Sequence, residues 1–140
     1  MSRTVRWALL STANINKALI GPLQESERSE LVAVASRDLE RAKVYAGRHD
    51  IPKAHGSYEA LLADPEVDAI YLSLPNGMHA EWAVKAAQAG KHVLCEKPLV
   101  VAPAEFDAVE SAAIANGVTI FEAFMYLHHP QTRLALDMAR

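Results

Sequence analysis

His92-Val93-Leu94-Cys95-Glu96-Lys97-Pro98 is the stretch that decides the fold. A run this short and mainly apolar reads as a buried strand, and the proline ends it abruptly. Glu96 and Lys97 then stand at the carboxyl edge of a sheet, where open α/β folds bind their ligands. An isolated Glu-Lys-Pro would read equally as a strand exit with solvated charges. Its neighbours decide between the two.

Working outward, strands and helices alternate. Val5 to Leu10 is an apolar run and the expected first strand, followed by a helix from Asn14 to about Glu25 that Gly21-Pro22 should kink or interrupt. Leu31 to Ala35 is continuously apolar, as suits a parallel strand covered on both faces. Asp38 caps a helix to about Arg48, with Leu39, Ala42 and Ala46 near one face. A short strand follows at Lys53 to His55, and Ser57 caps a short helix through Ala63. Ala69 to Leu74 is the next buried strand, broken by Pro75-Asn76-Gly77. A helix from about His79 to Ala89 stops at Gly90, and the strand at 92–95 follows. Pro103 opens a helix that Asn116-Gly117 closes, and Val118 to Phe121 gives the sixth strand. This pattern predicts an α/β fold with a doubly wound parallel sheet, ordered 3-2-1-4-5-6 by right-handed crossovers. No internal repeat, linker or low-complexity segment interrupts it.

Composition narrows the function classes. The 140 residues make about one domain, with 51% hydrophobic and 22% charged residues, ordinary for a soluble globular protein. A net charge of −3 gives no sign of a nucleic-acid partner. No apolar stretch approaches the roughly 20 residues of a membrane span, and no signal-peptide core stands at the N-terminus. Cys95 is the single cysteine, so no internal disulfide forms and a cytoplasmic location is expected. Its place in a strand reads as a small buried hydrophobe. The six histidines, His128-His129 included, lack zinc-ligand spacing, and no metal site is expected.

The first strand-to-helix turn is where a dinucleotide-binding fold places G-x-G-x-x-G. Here it reads Ser11-Thr12-Ala13-Asn14-Ile15-Asn16, without glycine. Ser11 and Ala13 are small, and a helix N-terminus still offers N–H groups to an anion. A purely structural turn fits the same residues. At the end of the second strand, where an acidic residue would bond the ribose of NAD, the chain has Ser36-Arg37, with Arg41 one turn later. A hydroxyl and two guanidinium groups suit the 2′-phosphate of NADP, with NAD as the alternative cofactor. A solvated loop arginine is the competing reading.

Five stretches and the residues around them, Trp7 to Asn16, Val34 to Asp38, Leu74 to His79, Ala89 to Leu99 and Glu122 to Tyr126, with His129-Pro130-Gln131, resemble one family. It is the glucose-fructose oxidoreductase and inositol dehydrogenase (Gfo/Idh/MocA) family, in particular its dihydrodiol and xylose dehydrogenase branch. The resemblance implies an N-terminal Rossmann domain holding NADP or NAD. It implies that Lys97 lies near the nicotinamide ribose and the reacting carbinol, and that Glu96 lies beside that ribose. Leu74, Pro75, Asn76 and His79 become cofactor contacts at the fourth strand, with Ser11, Thr12, Ala13, Asn14 and Ile15 at the first turn. A cis Lys97-Pro98 peptide is implied too.

The family pattern also sets limits. Leu127 stands where the family usually carries arginine, and the first turn lacks glycine. Residues 1–122 read as the NAD(P)-binding domain, and 123–140 as the start of a connection to a C-terminal α/β substrate domain absent from this chain. Tyr126, Leu134 and Met138 would meet that domain, so self-association into a homo-oligomer is expected of the chain alone. The leading expectation is the cofactor domain of an NAD(P)-dependent oxidoreductase acting on a sugar, polyol or dihydrodiol, inactive by itself. The alternative is a free-standing nucleotide-binding or regulatory interaction module without catalysis.

Overall fold

The computed structural model describes residues 4–139. Residues 1–3 and Arg140, at the two ends of the expected domain division, lie outside the described residues. Six strands form one sheet: β1 (Val5–Leu9), β2 (Ser29–Ala35), β3 (Lys53–His55), β4 (Ala69–Leu72), β5 (His92–Cys95) and β6 (Ile120–Glu122). Their order is β3-β2-β1-β4-β5-β6, and every pairing is parallel, as expected. The helices are α1 (Lys17–Glu25), α2 (Leu39–Arg48), α3 (Tyr58–Leu62), α4 (His79–Gln88), α5 (Pro103–Asn116) and α6 (Pro130–Met138).

Strand alternation divides the core between two faces. Ala8, Leu10, Ile70 and Leu72 pack with Leu61, Leu62, Trp82, Ala83, Ala86 and Val109 from α3, α4 and α5. Leu9, Val34 and Tyr71 point the other way, against Ile20 and Leu23 of α1 and Ala46 of α2. Both faces being covered, the central strands read as unbroken apolar runs. Cys95 is fully buried, and burial, then Glu122 and Glu96, push its thiol up to about 12. It packs as a small hydrophobe, and burial disfavours its thiolate.

Local signals account for most element ends. Asp38 Oδ1 accepts the Arg41 N–H at 2.9 Å and Ser57 Oγ the Ala60 N–H at 3.1 Å, capping α2 and α3. Gly90 and Gly117 close α4 and α5 at φ +72° and +63°. The Lys97–Pro98 peptide is cis.

Four expectations need correction. Helix α1 is not interrupted at Gly21-Pro22 but runs on to Glu25, Pro22 forfeiting only the one N–H bond it would have made to the Ala18 carbonyl. Leu39 is 42% exposed, lying over Gly56 at the start of α2 and away from the sheet. Strand β4 stops at Leu72, whose carbonyl takes the Glu96 N–H as the last bond of that ladder, and Pro75 just beyond has no N–H with which to extend it. Strand β6 begins at Ile120, because the Val118 N–H is spent on the Ala113 carbonyl at the end of α5.

The edge opposite the carboxyl ends is held by charge. Arg6 forks onto Asp68 through Nε at 2.9 Å and Nη2 at 2.8 Å. Buried Lys91 donates to the carbonyls of Asp64 and Val67, each at 2.8 Å. Burial by itself would raise the Asp64 carboxyl. The Glu66 N–H, Lys53 and His55 outweigh it and hold the group below its ordinary 3.8. The stability this adds is complete above the unfolded value and lost as pH falls through the lower folded one. Asp64→Asn should therefore lose about 1–2 kcal/mol at pH 7. It should also flatten the loss of stability below about pH 4, as urea titrations at pH 7 and pH 3 would report.

Candidate functional site

Parallel pairing carries the end of every strand to one edge, and the site is built there. β1 and β4 are central neighbours, with Trp7, Ala8 and Leu9 opposite Ala69, Ile70 and Tyr71. The Leu10 N–H continues the ladder to the Tyr71 carbonyl at 2.9 Å, which sets Ser11 beside Ser73. Their hydroxyl oxygens lie 2.7 Å apart. Ser73 Oγ donates to Asn16 Oδ1 at 2.6 Å, and Asn16 Nδ2 donates to the Ser11 carbonyl at 2.9 Å. Ser11 Oγ also accepts the Ala13 N–H at 3.1 Å. Asn16 is fully buried, and Ser11 and Ser73 are nearly so.

No residue of this turn has a positive φ; among the described non-glycine residues only Asp50 does. The tight turn therefore places no conformational demand for glycine at 11–16. Asn14–Asn16 form a 3-10 turn that leads directly into α1. The first N–H groups of such a run have no partner within the helix, and its positive end favours an anion.

A cavity of about 150 Å³ opens between the turn and the ends of β2 and β4. Ser11, Thr12, Ala13, Ser36, Arg37, Arg41, Leu74 and Pro75 line it. Ser36 is buried, and its Oγ accepts the Asp38 N–H at 3.3 Å, leaving its proton free to donate. No carboxylate among the described residues pairs with Arg37 or Arg41. A larger cleft of about 630 Å³ between α1 and α2 adjoins this cavity and shares Thr12 and Arg41 with it. The chemistry here is that of a phosphate monoester site beside a helix N-terminus.

On the other side of the turn, Ile15 lines a mainly apolar cavity of about 220 Å³ with Tyr71, Leu94, Glu96, Ala123 and Phe124. The Tyr71 hydroxyl donates to Glu96 Oε1, and the Lys97 N–H donates to Oε2 at 3.3 Å. Burial and then the Glu96 carboxylate raise the Tyr71 phenol, which stays a neutral donor. Lys97 is exposed at this edge, and no carboxylate side chain among the described residues pairs with it. The segment after Pro98 is anchored by Glu122, whose Oε1 accepts the Leu99 N–H at 2.7 Å.

His79 is placed otherwise than expected. It is fully buried, and its two ring nitrogens each lie 2.7 Å from a carbonyl oxygen, those of Leu74 and Pro98. No ring nitrogen is left for a cofactor. It ties the loop of exposed Pro75 and Asn76 to the loop after Lys97. Sequence reasoning also missed Asn16, Ser73 and Tyr71, whose roles come from partners distant in the chain. The only local signal was a polar residue inside an apolar run. Among the described residues, no cluster of three or more His, Cys, Asp or Glu is placed to hold a metal ion, and no helix is long and apolar enough to cross a membrane.

The two cavities flank the first turn at the point where the strand order reverses, the place where open α/β sheets bind ligands. A sequence model of the Gfo/Idh/MocA group, an oxidoreductase family with an NAD-binding Rossmann fold, matches residues 5–124. A D-xylose 1-dehydrogenase (NADP+) of Haloferax volcanii is 47% identical over 132 residues, 94% of this chain and 41% of the relative. The trans-1,2-dihydrobenzene-1,2-diol dehydrogenase of Macaca fuscata fuscata is 43% identical over 121 residues, 85% of this chain and 36% of the relative. Among solved structures, KijD10, a 3-ketoreductase from Actinomadura kijaniata in complex with NADP and TDP-benzene, superposes with a TM-score of 0.91 at 38% identity. That match covers 98% of this chain and 42% of KijD10. The chain thus spans about two fifths of the length of these proteins. It belongs to the Gfo/Idh/MocA oxidoreductase family and carries that family's NAD-binding Rossmann fold.

Proposed function

We propose that this chain is the NADP-binding part of an oxidoreductase that transfers hydride between nicotinamide and a sugar, polyol or dihydrodiol. The observation that carries this reading is Ser36 with Arg37 and Arg41, free of carboxylate partners, around a cavity that reaches the first turn. In this reading Arg37 and Arg41 pair with the 2′-phosphate while Ser36 donates its hydroxyl. Thr12, Ala13, Asn14 and Ile15 bring the helix start to the pyrophosphate, and Leu74, Pro75 and Asn76 contact the cofactor from β4. Glu96, held by Tyr71, faces the nicotinamide ribose. Lys97 orients the substrate oxygen and either stabilises negative charge there or assists its proton transfer. When bound, the nicotinamide supplies or accepts the hydride.

Residues 1–122 would form the cofactor domain and 123–140 begin the connection to a second α/β domain. Exposed Met125, Tyr126, Leu127, Leu134, Leu136 and Met138 support this, because an apolar strip of that extent favours a partner surface. The length of the relatives points the same way. Alone, the chain would self-associate through this strip and turn over little substrate, since positioning groups on the facing wall would be missing. A reducing, cytoplasmic compartment is consistent with its one buried cysteine. The alternative module without catalysis is disfavoured by Glu96 and Lys97 standing together at the site edge.

Titration of the chain with both cofactors is expected to give at least tenfold tighter binding of NADP(H) than NAD(H), on the order of the 1.5–3 kcal/mol of a charge-assisted bond. Arg37→Ala should erase most of that ratio; equal affinities in the unaltered chain would remove Arg37 from this role. In the full-length protein, Lys97→Met should lower kcat by about 10²–10⁴-fold. NADP(H) affinity should hardly change, and a loss of affinity in place of kcat would make Lys97 a cofactor ligand only.

A further inference from the structure

We infer that Ser11, Ser73 and Asn16 form one closed hydrogen-bond ring that does the positioning work of the missing glycines, and that Asn16 and Ser73 are positioning residues for a diphosphate at the first turn. The inference rests on the dinucleotide reading above and goes beyond it in naming what makes a glycine-free turn competent. Proton bookkeeping leaves one arrangement. Asn16 Nδ2 meets the Ser11 carbonyl at 2.9 Å, which only accepts, so the amide cannot be reversed. Asn16 Oδ1 must then accept, and the Ser73 proton is committed to it at 2.6 Å. The 2.7 Å contact between the serines is therefore donated by Ser11 to Ser73. Ser11 Oγ, its proton directed inward, takes the Ala13 N–H at 3.1 Å.

Donation thus runs one way around this buried ring, and the Ser73 carbonyl offers the Ser11 hydroxyl a second, longer contact at 3.4 Å on the same strand end. Dinucleotide-binding glycines serve the tight turn, close approach of the backbone and helix–strand packing. Here the turn needs no positive φ. The ring supplies the rest: it draws the end of β1, the start of α1 and the end of β4 together through side chains. A buried network in which every member is satisfied acts as a unit, and removing one member leaves the others unpaired.

The test uses Ser73→Ala and Ser11→Ala, singly and together, with NADP(H) and NAD(H), and thermal melts by circular dichroism report that the variants are folded. Each single variant is expected to weaken NADP(H) and NAD(H) alike by about tenfold, leaving their ratio unchanged. The double variant should lose little more than the worse single one, because the ring fails as a whole. Unaltered NADP(H) binding in both single variants would overturn the inference, as would a changed NADP(H)-to-NAD(H) ratio or additive losses in the double variant. If the unaltered chain bound no dinucleotide, the nucleotide-binding reading would fall and this inference with it. Normal binding by the unaltered chain with unaffected variants would sink the inference alone.

Discussion

The pairing of β1 with β4 is the constraint on which the rest of the structure depends. The chain leaves β1 to build β2 and β3 on one side, then returns to place β4, β5 and β6 on the other. A crevice opens where the order reverses, because the helices after β1 and β4 depart to opposite faces of the sheet. The register that sets Leu9 opposite Tyr71 also sets Ser11 against Ser73. One backbone ladder thus fixes both the packing of the core and the geometry of the first turn. A slip by one residue would turn Tyr71 and Leu72 to the wrong faces and break the hydroxyl contact in the same move.

Charge is distributed between the two edges of the sheet in different ways. At the amino edge, ion pairs and carbonyl contacts satisfy Arg6, Asp64, Asp68 and Lys91, and their function is to hold loops. At the carboxyl edge, Arg37, Arg41 and Lys97 have no carboxylate side-chain partner among the described residues. Cations left free beside cavities add little to stability and are available to an anionic ligand. Glu96 differs from them: Tyr71 and the Lys97 N–H engage both of its oxygens, so its orientation is set in advance. Such preorganisation places a carboxylate without an ordering cost at the moment of binding.

His79 shows how a site motif can serve the site from within. Its position at the start of α4 reads as a cofactor contact, yet its ring lies beneath the surface, between the Leu74 and Pro98 carbonyls. Through it, the loop bearing Asn76 and the loop following Lys97 share one anchor. Glu122 separately ties the second of these loops to β6 by holding the Leu99 N–H. The two loops are therefore fixed relative to each other by a buried side chain, that of His79.

Element order, the parallel sheet and most helix caps were legible in the sequence, because they rest on apolar runs, proline and glycine stops, and capping residues that act within a few positions. The placement of Arg37 and Lys97 at the carboxyl edge was legible for a related reason: in a parallel sheet every strand ends at that edge, whatever follows. The strand limit at Ile120 was not, since a competing bond from the Val118 N–H to the Ala113 carbonyl sets it; nor was the limit at Leu72, which the reach of the β5 ladder sets. Nor were the ring of Ser11, Ser73 and Asn16, the Tyr71 bond to Glu96, or the burial of His79. Those contacts join residues up to 62 positions apart, and a side chain's direction there depends on which strand lies next to it. Short-range chemistry by itself determined which residues stand at the functional edge; only the tertiary pairing of β1 with β4 and β4 with β5 decided which of them are aimed outward and which are bound within.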